Sequence, residues 1–162
     1  MRKPRYLGVA IAMILCLWKL FPSALYSNLG WLRLSFALQT QERGAPYRPT
    51  LDGAARWFLA AHANSVSARR GVGLVYALLD QPDAAQTAWR GMDEYEAWAI
   101  RYGDARRLSK QRLDALSIYR VADRLGVDHP QLWLGVGLLC RDNWASDALC
   151  QRFLEQGMGN LL

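Results

Sequence analysis

The sequence predicts an all-α protein, with one N-terminal membrane-spanning helix followed by a short α-solenoid of stacked helical hairpins. Three observations carry that expectation. After residue 28, apolar residues recur at helical rather than strand-like spacing. Ala, Leu and Arg, all good helix formers, are abundant throughout. A long, nearly uncharged run follows a basic N-terminus. At 162 residues the chain suits one domain of ordinary size. It divides into a tip and anchor (1–27), an amphipathic helix and loop (28–50) and a repeat domain (51–162).

The first element reads "MRKPRYLGVAIAMILCLWKLFPSALYSNLGWL". Tyr6 to Leu25 is long enough to span a bilayer, which takes about 20 apolar residues. Lys19 lies about 9 Å of helix rise from the Leu25 end, so its stem can snorkel toward the headgroups. The rival is a cleaved signal peptide, but "PSALYSN" lacks the A-x-A pattern of a cleavage site. An uncleaved anchor keeps Arg2, Lys3 and Arg5 in the cytoplasm and puts the repeat domain outside. The expected location is therefore a single-pass position in a bacterial cytoplasmic membrane. The 17 arginines against 3 lysines fit a GC-rich bacterial genome.

Most of the net charge of +6 belongs to this segment. Residues 1–42 carry five basic residues and one acid, and the body is close to balance. A nucleic-acid-binding domain carries its basic residues on the folded body, so nucleic acid is excluded as a partner.

Next comes "NLGWLRLSFALQTQE", with Leu29, Leu32 and Phe36 on one stripe and Trp31, Leu34 and Leu38 widening it. This predicts an amphipathic helix. It either pairs with a helix over 51–64 or lies on the membrane surface. Pro46 and Pro49 make "RGAPYRP" a loop.

The body is repetitive. Gly73 is followed 12 residues later by Ala85 and 16 later by Trp89. Gly103 is followed at the same spacings by Ala115 and Tyr119, and Gly137 by Leu149 and Phe153. The offsets between sets are 30 and 34 residues. Each set predicts a helical hairpin. The glycine admits the second helix, the small residue fits the tight contact, and the aromatic fills the space toward the next hairpin. A single hairpin cannot bury its apolar face alone, so hairpins must stack. "RRGVGLVYALLD" is accordingly a helix. It lacks the glycine spacing of a phosphate loop, and no strand precedes it. Asp93 with Glu96 reads as a capping box, and Asp128 as a further helix start.

"GLVYALLDQPDAAQTAW", "GDARRLSKQRLDALSIYRVA" and "WLGVGLLCRDNWASDALCQRF" resemble the tetratricopeptide repeat family, over residues 51–158. Tyr76, Trp133 and the Ala115-Tyr119-Ala122 set match its pattern, while Arg106, Cys140 and Leu149 depart from it. The resemblance implies a concave partner-binding face on the first helix of each hairpin. The candidates are Arg70, Leu74 and Leu78, then Ile100, Arg101, Asp104 and Arg107, then Leu134, Leu138 and Arg141. Arginines mixed with aliphatics suit a peptide or helix bearing acidic and apolar residues. Leu74 and Arg101 stand where the family's binders of chaperone tails carry asparagine, so that activity is not expected.

No catalytic or metal-binding constellation appears. His62 and His129 are isolated, and the serines have no sequence-local base. The chain is therefore read as a non-enzyme without cofactor, metal or small-molecule substrate. The expected function is a membrane-anchored scaffold or assembly subunit that holds another protein, such as a membrane-complex subunit. The alternative is an accessory helical domain serving a cell-envelope enzyme such as a polysaccharide polymerase or ligase. Cys140 and Cys150 flank the last hairpin turn at equal distances, which leaves two readings open, a disulfide or two buried thiols.

Overall fold

A computed structural model describes residues 22–61, 65–141 and 147–155. Among the described residues there are eight α-helices and no strand. They are α1 (Pro22–Glu42), α2 (Arg48–Ala60), α3 (Val66–Leu78), α4 (Pro82–Trp89), α5 (Tyr95–Leu108), α6 (Arg112–Arg124), α7 (Pro130–Cys140) and α8 (Ala148–Glu155).

The membrane anchor is corrected by this fold. No helix among the described residues is long and apolar enough to cross a membrane. Residues 6–21 of the expected span lie outside the described residues, and Pro22–Leu25 form the first turn of α1. Ser27, Asn28, Arg33, Ser35, Gln39 and Thr40 interrupt the apolar character of α1 along its length. The single-pass location rested on the same span and is corrected with it.

The described residues fall into two compact units, one up to Val72 and one from Gly73, with the division inside α3. In the first, α1 packs on α2. The turn after α1 closes with Gly44 at φ 74° and with two hydrogen bonds, from Gly44 N–H to Gln41 O (2.9 Å) and from Ala45 N–H to Thr40 O (3.1 Å). This is a Schellman closure, which satisfies the free carbonyls at the helix end. The buried face of α1 is Ser27, Gly30, Leu34 and Ala37. Of the large residues expected there, Leu34 is buried and Leu29, Trp31 and Leu38 are half-buried, whereas Leu32 and Phe36 turn outward at 68% and 58% exposure. Small residues decide the contact because they let the helices approach. The Phe58 ring occupies the space that a Cβ on Gly30 or on Gly71 would need. Ser27 and Trp31 both donate to Ser67 Oγ at 2.9 Å.

In the second unit the end of α3 packs on α4 through Gly73 and Trp89. Beyond it, α5 packs on α6 and α7 on α8. Second helices meet second helices, α4 on α6 and α6 on α8, while α7 contacts both α5 and α6. This neighbour-only arrangement of hairpins fits an α-solenoid. The first two hairpin turns are the same structure 30 residues apart. Asp80 and Lys110 both adopt positive φ, 58° and 61°. Gln81 N–H reaches Tyr76 O at 2.8 Å, and Gln111 N–H reaches Arg106 O at 2.9 Å. Ion pairs stitch the second helices together at their edge: Arg124 to Asp83 (2.5 Å), Arg152 to Asp123 (2.8 Å), and Arg120 to Asp80 (3.0 Å) and Asp147 (2.7 Å).

Two helix starts differ from expectation. α5 begins after Glu94, at φ 59°, with no side-chain cap, so Asp93 and Glu96 form no capping box. α7 is capped by His129, whose Nδ1 accepts from Gln131 N–H at 3.1 Å, while Asp128 accepts from the Trp133 indole at 3.0 Å. Cys140 and Cys150 form a disulfide with Cα atoms 5.6 Å apart, tying α7 to α8.

Candidate functional site

One face of α5 and the start of α7 enclose an open groove of about 580 Å³. From α5 it is lined by Glu96, Ala97, Ile100, Arg101, Asp104, Ala105 and Leu108, and from the other side by His129 and Gln131. The α5 positions recur at intervals of three and four residues, which puts them on one helical face. The side chains are graded. Ile100 is buried at 4% exposure and makes floor, while Leu108 stands 73% exposed at the far end. Glu96 and Arg101 are exposed charges.

Asp104 is the centre of the polar wall. Its Oδ1 accepts from the Tyr119 hydroxyl at 2.7 Å and from Arg107 Nη2 and Nε at 3.0 and 3.2 Å. Its Oδ2 accepts from Gln131 Nε2 at 2.9 Å. One carboxylate thus joins three helices, α5, α6 and α7. Burial, then the hydrogen bond and charge of Asp104, push the Tyr119 phenol well above its ordinary value, and Arg107 offsets this only in part. Burial alone would lower the Arg107 guanidinium. The hydrogen bonds to Asp104 and its charge outweigh it, so the net shift is upward and Arg107 stays charged. At the start of α5, burial and then the neighbouring Glu96 charge raise the Tyr95 phenol, whose hydroxyl donates to Leu125 O at 3.1 Å.

Of the residues proposed from sequence for a concave face, Ile100, Arg101 and Asp104 meet in this groove. Arg107 reaches it through Asp104. Leu74 and Leu78 are core residues, 1% and 4% exposed, and offer a partner nothing. Arg70 belongs to the first unit. Leu134 is 54% exposed and Arg141 is exposed at the end of α7, but neither lines the groove, nor does Leu138. Glu96, Ala97, Ala105, Leu108, His129 and Gln131 were not identified from sequence. The first four share the helical face of Ile100 and Arg101, a periodicity that was available. His129 and Gln131 come from another hairpin, and no local spacing signals them.

The repeat positions pack more tightly than their spacing implied. The Trp89 ring covers Gly73, and the Tyr119 ring covers Gly103. The aromatic therefore sits on the glycine of its own hairpin. Tyr119 also reaches Gly135 of the next hairpin, where the repeat spacing pointed to Gly137. Ala85, Ala115, Gly137, Leu149 and Phe153 are all buried. No group of His, Cys, Asp or Glu among the described residues could hold a metal ion. No protein-family model, curated protein or solved structure matches the chain.

Proposed function

We propose that this protein is a tetratricopeptide-like interaction module that holds a segment of a partner protein in the groove along α5. The observation that carries the reading is the groove itself. It is open, shaped by one helical face, graded from apolar floor to charged rim, and braced by Asp104 from three helices. Such a surface suits capture of a helix or extended chain. The same reading makes the protein a binder and scaffold rather than a catalyst.

Photo-crosslinking tests it. A photoreactive residue at Ala97 or Ala105 should capture a discrete polypeptide in cells, and one at exposed Arg152 on α8 should not. Capture from neither groove position, or equal capture from Arg152, would contradict the proposal.

A further inference from the structure

We infer that the groove selects a segment whose aliphatic side chains are flanked by carboxylates, bound with its acidic end toward the C-terminal half of α5. This rests on the groove reading above and adds the chemistry and direction of the occupant. From Arg101 to Arg112 the chain holds five basic residues and one acid, Asp104. That acid is fully engaged inside the protein, and its ion pair with Arg107 cancels both charges. Of the other four, Arg101 and Lys110 are both exposed, and neither has a carboxylate within ion-pair distance among the described residues. The helix dipole accounts for cations in the last turn of α5, where Arg106 and Arg107 sit. It does not account for Arg101 in mid-helix.

Leu108, which lines the groove, lies between Arg101 and Lys110 in the chain; Lys110 and Leu113 follow it outside the groove lining. Leu108 is 73% and Leu113 64% exposed, on either side of the turn that carries Lys110. Exposed leucines framed by unpaired cations complement aliphatic side chains framed by acids. Glu96, exposed at the opposite end of the groove, repels the same acids and sets the direction. Glu96 to Leu108 spans about 18 Å of helix, enough for five or six extended residues.

A phage-displayed library of random dodecapeptides, panned on the full chain, tests this. Enriched peptides should be rich in Asp and Glu beside Leu, Ile or Val. Synthetic copies should bind Arg101→Glu at least ten-fold more weakly, lose affinity with added salt, and regain binding to Arg101→Glu when their acids are replaced by lysine. Both Arg101→Glu and Leu108→Glu alter exposed side chains, and an unchanged thermal midpoint verifies the fold. Basic or neutral peptides, or acidic peptides indifferent to Arg101→Glu, overturn the charge assignment. If those peptides still fail on Leu108→Glu, the groove reading survives alone. No enrichment, or none sensitive to Leu108→Glu, overturns both.

Discussion

The hairpin of α3 and α4 and that of α5 and α6 solve one packing problem in two chemistries. In each, an aromatic ring on the second helix lies directly over a glycine on the first, Trp89 over Gly73 and Tyr119 over Gly103. In each, a non-glycine residue takes positive φ at the turn, Asp80 or Lys110. The difference lies at the far end of the ring. Trp89 meets Trp98 edge to face, with centroids 5.1 Å apart. Tyr119 ends in a hydroxyl that donates to Asp104, a groove residue. Backbone approach therefore depends only on a flat ring facing a glycine. In the second hairpin the polar tip of the ring connects that seam to a surface.

The largest effect should come from filling a seam. Gly103→Leu should cost about 3 kcal/mol, because Tyr119 is fully buried and tethered by its hydroxyl and cannot move aside. Gly73→Leu should cost a similar amount, since Trp89 is equally buried. Chemical denaturation measures both, and a neutral result at either position would break the equivalence of the two hairpins.

The third hairpin sharpens the comparison from outside. It is held by the Cys140–Cys150 disulfide rather than by a ring-to-groove bond. Closing a ten-residue separation should stabilise by about 2–3 kcal/mol. Reduction should lower the denaturation midpoint accordingly, with no change when the same reductant meets Cys150→Ala.

A smaller, pH-dependent effect separates Tyr119 from Trp89. Tyr119→Phe should cost about 2 kcal/mol at neutral pH, the scale of a hydrogen bond to a charged group. The folded phenol is raised above its ordinary value of 10.0. Its contribution is therefore complete below about pH 10, and it is lost as pH rises above that and through the folded value. The wild-type protein should lose stability steeply in alkali, and Tyr119→Phe should flatten that limb. Equal slopes in thermal melts at pH 9 and pH 11 would contradict the burial of an un-ionised phenol.

The smallest effect concerns the turns. Lys110→Gly should be neutral or stabilise by up to about 1 kcal/mol, relieving a positive φ. Asp80→Gly should gain less, because it also removes the ion pair to Arg120.

The parts of this fold legible in sequence were local. The 16-residue interval from Gly73 to Trp89 and from Gly103 to Tyr119 is a property of one hairpin, so spacing alone suggested a tight contact. The face of α1 was misread because amphipathicity weighs large apolar side chains. The packed face was chosen by Gly30 and Ala37, which are small. The capping box at α5 was misread because Glu94 takes positive φ, while α7 starts where Asp128 and His129 pointed, with His129 rather than Asp128 as the cap. His129 and Gln131, two of the nine lining residues, were hidden for a different reason. Asp104, Tyr119 and Gln131 lie on three helices, so their meeting exists only after the hairpins stack.

The central claim is that the Tyr119 seam and the groove wall are one structure joined at Asp104. A double-mutant cycle of Tyr119→Phe with Asp104→Asn, measured by denaturation at pH 7, tests it most directly. The predicted coupling is at least about 1 kcal/mol, with the double variant less destabilised than the sum of the singles. Additive losses would mean that seam and groove are independent, and would contradict the account.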